Sequence, residues 1–323
     1  MKIQLTENDI HILQIIAKKI QNDPYKNPDL FCNEIKNLLL EIPDNLKNIF
    51  INFKNNGSET GFLLINIPFS DDDRLILTPD SNEQYIGGTT EIAKIQAILM
   101  SIMGNMISYE AEGCGNLFQD IIPVKSMSNN QTSTGSNFEL EIHTEQAFSK
   151  LRPDIISLAC LRGDINAFTY VLPVQYILSN MNEDEIEILK QPLWKTGVDL
   201  SFKLNNDDFI EGDIRGPFSI IQGNEKNPKL IFDQDLMFGI TDQSQHILKK
   251  IVNIYYKYRL SHNLISGDII FIDNNRAVHG RSQFQPKFDG FDRFLIRTFL
   301  VFDYERVKQA CNKKDYMISA IYS

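Results

Sequence analysis

The chain lacks any run approaching the roughly 20 consecutive apolar residues that a membrane-spanning helix needs, and Met1-Lys2-Ile3-Gln4 is not followed by a signal-peptide core. It is short of positive charge: 32 Lys and Arg against 42 Asp and Glu leave a net charge of −10. There is no basic run and no Lys/Arg patch interleaved with aromatics, so neither nucleic acid nor an anionic membrane is expected as partner. The four cysteines, at positions 32, 114, 160 and 311, form neither a Cys-x-x-Cys nor a zinc spacing. A reduced, cytoplasmic protein is therefore expected, with Cys160 a buried small hydrophobe. Gly113-Cys114-Gly115 lacks the third glycine and the strand-turn-helix context of a dinucleotide fingerprint. Internal repeats and low-complexity segments are missing too. What is present is 42% apolar residues among 323, enough for a real core.

Histidine is scarce, with five in the sequence, and two of them stand in suggestive company. His143-Thr144-Glu145 closes a segment that alternates apolar with polar, and period-two spacing puts His143 and Glu145 on one face of an extended backbone. His279 follows the apolar run Ile269-Ile270-Phe271-Ile272, which reads as a buried strand. Two imidazoles and one carboxylate are the ligand set of a mononuclear, oxygen-activating iron site, which leaves positions open for a chelating cosubstrate and dioxygen. Arg293 lies fourteen residues beyond His279, at the head of a strand-like segment ending at Phe302. Strand spacing places Arg293, Leu295 and Arg297 on a common face. Two arginines pointing into an apolar barrel require anions, and a guanidinium forks onto a carboxylate, so a dicarboxylic acid and an amino-acid carboxylate are the natural ligands. The plain alternatives are a solvated His-x-Glu and an edge strand with its arginines in water.

His143-Thr144-Glu145-Gln146-Ala147-Phe148, Arg152-Pro153-Asp154 and Leu158-Ala159-Cys160-Leu161-Arg162-Gly163-Asp164 resemble the central block of the clavaminate synthase-like iron(II)/2-oxoglutarate oxygenases of the TauD superfamily. Val278-His279-Gly280-Arg281-Ser282-Gln283-Phe284 and Phe288-Asp289-Gly290-Phe291-Asp292-Arg293 resemble that family's C-terminal block, and the similarity covers about residues 105–302. The resemblance implies that His143, Glu145 and His279 hold iron(II), that 2-oxoglutarate and dioxygen are cosubstrates, and that Arg293 with Thr169 clamps the distal carboxylate of 2-oxoglutarate. It assigns the substrate's α-carboxylate to Arg297. Ser133 and Glu112 lie where the family contacts the substrate's amino-acid end. Because Glu145 is present, hydroxylation or desaturation is expected and halogenation is not.

Phe232-Asp233-Gln234-Asp235 resembles the acidic segment with which family members hold the far end of a basic amino acid, the two carboxylates sharing a face if the backbone is extended. The implied partner is a small molecule, a free basic L-amino acid hydroxylated at C3 or C4 with release of succinate and CO2. Lysine comes first and arginine second, with asparagine or glutamine the alternative should Asp233 and Asp235 face solvent. A reading from another class is a non-catalytic jelly-roll protein that binds a ligand or metal. Self-association into a homo-oligomer is left open by the sequence.

The expected architecture is α+β in one oxygenase domain spanning 1–323. It comprises an N-terminal helical region (1–55), a double-stranded β-helix (jelly-roll, cupin-like) core over 117–302 with flanking helices, and an insert at 179–245 covering the site as a lid. Thr6 and Pro28 are expected to open helices, as are Thr89-Thr90-Glu91, with Gly104 closing the last. Lys54-Asn55-Asn56-Gly57 reads as a turn, Asn182–Leu189 as an acidic surface helix, and 243–258 as a longer helix.

Overall fold

The computed structural model describes residues 1–68, 71–199 and 213–322. Thr6 caps α1 (Glu7–Lys19) by accepting from the Asp9 amide while the Asp9 carboxylate accepts from the Thr6 amide. Pro28 opens α2 (Pro28–Leu38). The expected turn at Lys54–Asn56 is instead the last turn of α3 (Asp44–Asn56): buried Phe50 and Phe53 hold the helix to its end, and it stops at Gly57, which adopts a φ of 67°. After β1 (Phe62–Asn66) and the short α4 (Asp71–Arg74), Thr90 caps α5 (Glu91–Met103), and Gly104 ends it.

Then follow β2 (Asn105–Tyr109), β3 (Gln119–Ile121), β4 (Leu140–His143), β5 (Ile155–Arg162) and β6 (Phe168–Pro173). The next stretch holds α6 (Val174–Ser179), α7 (Glu183–Leu189), β7 (Trp194–Gly197), β8 (Ile214–Phe218), β9 (Ile221–Asn224), β10 (Asn227–Leu230) and β11 (Met237–Gly239). The long α8 (Asp242–Tyr258) leads into β12 (Leu260–Asn263), β13 (Asp268–Asp273), β14 (Ala277–Arg281), β15 (Phe294–Val301) and β16 (Met317–Ile318).

Two sheets face each other. The larger runs β1-β13-β5-β15-β2-β16, with β3 also pairing β15, and the smaller runs β12-β6-β14-β4. The larger sheet thus recruits β1 and β2 from ahead of residue 117, where the sequence placed the start of the core. Period two sorts its residues: Leu63, Ile65, Ile269 and Phe271 pack against α1, α2, α3 and α5, whereas Phe62, Leu64, Ile270 and Ile272 face Val171 and Ala277 of the smaller sheet. The outer face of the smaller sheet, Ile142, Leu172 and Val278, is covered by Ile247, Leu248, Ile251 and Ile254 of α8. Strands buried on both faces read as continuous apolar runs, which is why Ile269–Ile272 is conspicuous in the sequence. Burying each of the Leu, Ile, Val and Phe side chains among them contributes about 1.5–3 kcal/mol, and together these layers make a double-stranded β-helix flanked by helices.

The lid expected over 179–245 falls partly on residues 200–212, outside the described residues. Its described part includes a three-stranded sheet, β11-β7-β8, and the β9–β10 hairpin. Among the described residues no helix is long and apolar enough to cross a membrane.

Candidate active site

β4 and β14 lie side by side at one end of the smaller sheet, and their register sets His279 directly against His143. The two ring centroids are 4.4 Å apart. His279 therefore does not extend the apolar strand that precedes it. β13 belongs to the larger sheet, and the turn Asp273–Arg276 carries the backbone across to the smaller one. β4 ends at His143, and the backbone turns sharply at Gln146, with φ at 53°, which aims Glu145 at the same point. Oε2 of Glu145 lies 3.9 Å from Nε2 of His143 and 3.5 Å from Nε2 of His279. One ligand atom from each of the three groups lies within 4.8 Å of the other two.

Neighbouring groups orient the three donors. Nδ1 of His143 is 2.8 Å from the Glu141 carbonyl, so it carries the proton and leaves Nε2 as the lone-pair donor. The buried amide group of Asn274 grips Glu145 by its backbone, accepting from the Glu145 N–H (2.7 Å) and donating to its carbonyl (3.1 Å) and to that of Pro153 (2.8 Å). Asn274 thus does for Glu145 what a neighbouring strand would have done had β4 continued. Asn274→Ala is expected to weaken iron(II) binding about 10–100-fold, the usual effect of removing a group that orients a ligand; a metal titration checks this, and unchanged affinity would dismiss Asn274.

Burial pushes the His279 imidazole down to about 4, with the charge of His143 adding to the effect, so it is a neutral donor. Burial acts to raise the Glu145 carboxyl, but Arg297 and the two imidazoles overcome it and hold the group down to about 2. An anionic carboxylate beside a neutral imidazole donor suits iron(II).

The arginines differ sharply. Arg297 donates from Nη1 to Glu145 (2.9 Å), from Nε to Gln119 (3.0 Å), and from Nη2 to Glu112 and Gln119. Glu112 is driven up to about 7 by burial, against the pull of Arg297. Arg293, immediately before β15, is 5% exposed and forms no hydrogen bond or ion pair among the described residues. Burial lowers it to about 10, which leaves it a cation. Thr169, also buried, has a hydroxyl without a partner. A free buried guanidinium and an unpartnered hydroxyl in one cavity fit an incoming carboxylate.

That cavity measures about 350 Å³, and its walls include all ten residues singled out from the sequence: His143, Glu145 and His279, Arg293 and Arg297, Thr169, Glu112, Ser133, Asp233 and Asp235. The last two arrive differently than expected. Asp233 bridges to His143, and the backbone then turns because the Asp233 carboxylate accepts from the Leu236 amide at 2.8 Å. Both carboxylates reach the cavity from this turn, and burial raises both, Asp233 to about 6. Sequence reasoning assigns no role to Glu141, Asp199 or Arg281, which also line the cavity. Glu141 and Arg281 sit two residues from His143 and His279, a spacing that could have flagged them.

Known proteins resemble this chain in sequence and in fold. The model of the taurine catabolism dioxygenase TauD, TfdA family matches residues 189–298. L-lysine 3-hydroxylase of Catenulispora acidiphila is 40% identical over 319 residues, 99% of this chain and 89% of that protein. The chain belongs to the clavaminate synthase-like iron(II)/2-oxoglutarate oxygenases. L-asparagine oxygenase of Streptomyces coelicolor is 26% identical over 98% of this oxygenase and 95% of its own length. A crystal structure of asparagine oxygenase with Fe(II), 2S,3S-3-hydroxyasparagine and succinate superposes with a TM-score of 0.90 at 25% identity, covering 98% of this oxygenase and 99% of that protein. The oxygenase uses iron(II) as cofactor, with 2-oxoglutarate and dioxygen as cosubstrates.

Proposed function

We propose that this oxygenase hydroxylates a free basic L-amino acid, L-lysine first, at C3 or C4. The observation that carries the reading is the charge layout of one cavity: arginines on the β15 side, and Asp233 and Asp235, which have no Lys or Arg partner among the described residues. Asp233 is half-buried and Asp235 stands beside it at the exposed edge of the cavity; a carboxylate pair without such a partner calls for a cation, and lysine or arginine brings one. Asparagine would leave that charge unmatched. The relative named for lysine 3-hydroxylation supports lysine and favours C3.

In this reading His143, Glu145 and His279 hold the iron, and Arg293 with Thr169 takes the distal carboxylate of 2-oxoglutarate. Arg297 receives the substrate's α-carboxylate in place of Glu112, whose released carboxylate then faces the α-ammonium; Ser133 closes the same end. Asp233 and Asp235 fix the far end, so the intervening methylenes lie beside the metal. Iron(II) with 2-oxoglutarate and dioxygen supplies the oxidation that replaces one methylene hydrogen with a hydroxyl group, yielding succinate and CO2. The protein's own contribution is position: two anchored ends allow one carbon to present its hydrogen. A substrate shorter by one methylene costs about 1–3 kcal/mol, so ornithine should be a slower substrate rather than refused.

Mass spectrometry after incubation with each of the twenty amino acids tests the reading. Lysine should gain one oxygen, and a gain confined to neutral amino acids would overturn it. Asp233→Asn should raise the KM for lysine about 30-fold or more, in line with removing one partner of a buried charge pair, and leave that for 2-oxoglutarate within about twofold. Unchanged kinetics on both lysine and arginine would remove the acidic clamp.

A further inference from the structure

The cavity holds a third arginine that the reaction above does not use. Arg281 lies two residues beyond His279 on β14 and is 5% exposed. Its three hydrogen bonds go to carbonyls: Nε to Ser282 (3.1 Å), Nη2 to Phe138 (3.2 Å) and Nη1 to Gly135. Carbonyl oxygens satisfy its hydrogens but do not cancel its charge, and among the described residues no carboxylate lies within ion-pair distance.

Arg293 is in the same position. The Arg281 Cζ lies 5.0 Å from the centroid of the Phe284 ring and the Arg293 Cζ 5.9 Å from that same centroid. Thr169, with its unpartnered hydroxyl, stands opposite Arg281 in the β6–β14 register. Two buried cations therefore share one aromatic ring beside a spare donor, and all of them except the ring line the cavity. Arg297, by contrast, is answered by two carboxylates. A guanidinium keeps its charge in proteins, so both Arg281 and Arg293 are cations. Two like charges so placed repel unless an anion joins them.

The carbonyls that Arg281 grips have their own meaning. Gly135 and Phe138 belong to the loop that carries Ser133, and the Phe284 amide donates to Ser136 (3.0 Å) in the same loop. One guanidinium thus reaches from the cation pair to the wall on the amino-acid side.

We propose that Arg281 is a positioning residue that links the two binding events. Its charge joins that of Arg293 in holding the distal carboxylate of 2-oxoglutarate, and its N–H fork staples the Ser133 loop over the amino-acid site. This rests on Arg293 as the cosubstrate clamp.

The test uses the full-length protein with iron(II) under anaerobic conditions, reading 2-oxoglutarate affinity from the absorbance that develops on chelation, together with KM for lysine in air. Arg281→Met should weaken 2-oxoglutarate binding about tenfold, whereas Arg281→Lys, which keeps the charge, should stay within about threefold. Arg281→Lys loses the planar fork, so its KM for lysine should rise about tenfold with kcat largely kept. Wild-type 2-oxoglutarate affinity in Arg281→Met, or a collapse of affinity in Arg281→Lys, overturns the charge role. An unchanged KM for lysine in Arg281→Lys overturns the staple. Should Arg281→Met fail to fold by circular dichroism, the lysine variant decides both points. Wild-type affinity in Arg293→Ala would place the fault in the assignment of the clamp itself.

Discussion

Replacing Glu145 with alanine is expected to stop succinate release, lowering it at least about 100-fold. Removing a group that merely orients a metal ligand costs about 10–100-fold, and losing the ligand itself costs no less. Glu145 is the only carboxylate in the three-membered cluster found among the described residues, so no neighbour replaces it. The fold should survive. Arg297 loses its 2.9 Å bond to Glu145 but keeps Glu112 and Gln119, and the sheet contacts of β15 are untouched. Iron(II) titration, succinate assay and circular dichroism on the same sample separate lost metal from lost structure. Wild-type turnover in Glu145→Ala would take this residue out of the ligand set.

The second large effect is expected at Arg293. Arg293→Ala removes a buried cation with no protein anion to strand, so its loss should spare stability and appear in the cosubstrate. Truncating one side of a buried charge pair costs about 2–5 kcal/mol, which predicts a requirement for 2-oxoglutarate raised about 30-fold or more while that for lysine moves little. Steady-state kinetics with each substrate varied in turn checks this. The opposite pattern would mean that Arg293 and Arg297 have exchanged roles, a real alternative because the two guanidinium groups line the same cavity.

What can be read from the sequence follows the range of the interactions. His143 and Glu145, and Arg293 with Arg297, are close pairs, and local periodicity is enough to point them together. The helix starts at Thr6, Pro28 and Thr90 are equally local. Whether the segment after Asp233 is extended is left open by the sequence, because the cause of its turn, a carboxylate capping the Leu236 amide, competes with strand formation and leaves no periodic trace. Asn274 holding Glu145 and Glu112 meeting Arg297 join residues 129 and 185 positions apart, and no spacing rule reaches that far. Arg281 is within reach of the same period-two argument that finds Glu145 from His143, but its partners are carbonyls, which composition does not reveal.

β15 has consequences for how the pocket can change. Its even positions, Phe294, Ile296 and Leu300, sit among the helices, and the Ile296 carbonyl is tied to Gln96 at 3.2 Å, while Arg297 points the other way. A one-residue slip would send every residue of the strand to the wrong layer, so the arginine end is machined into the middle of the molecule and tolerates little adjustment. The acidic end hangs on a turn that is tied to the smaller sheet by one bridge to the end of β4 and not by a ladder running along a strand. New substrates should therefore be won by remodelling that turn, the amino-acid head staying in place while the tail it accepts is redrawn.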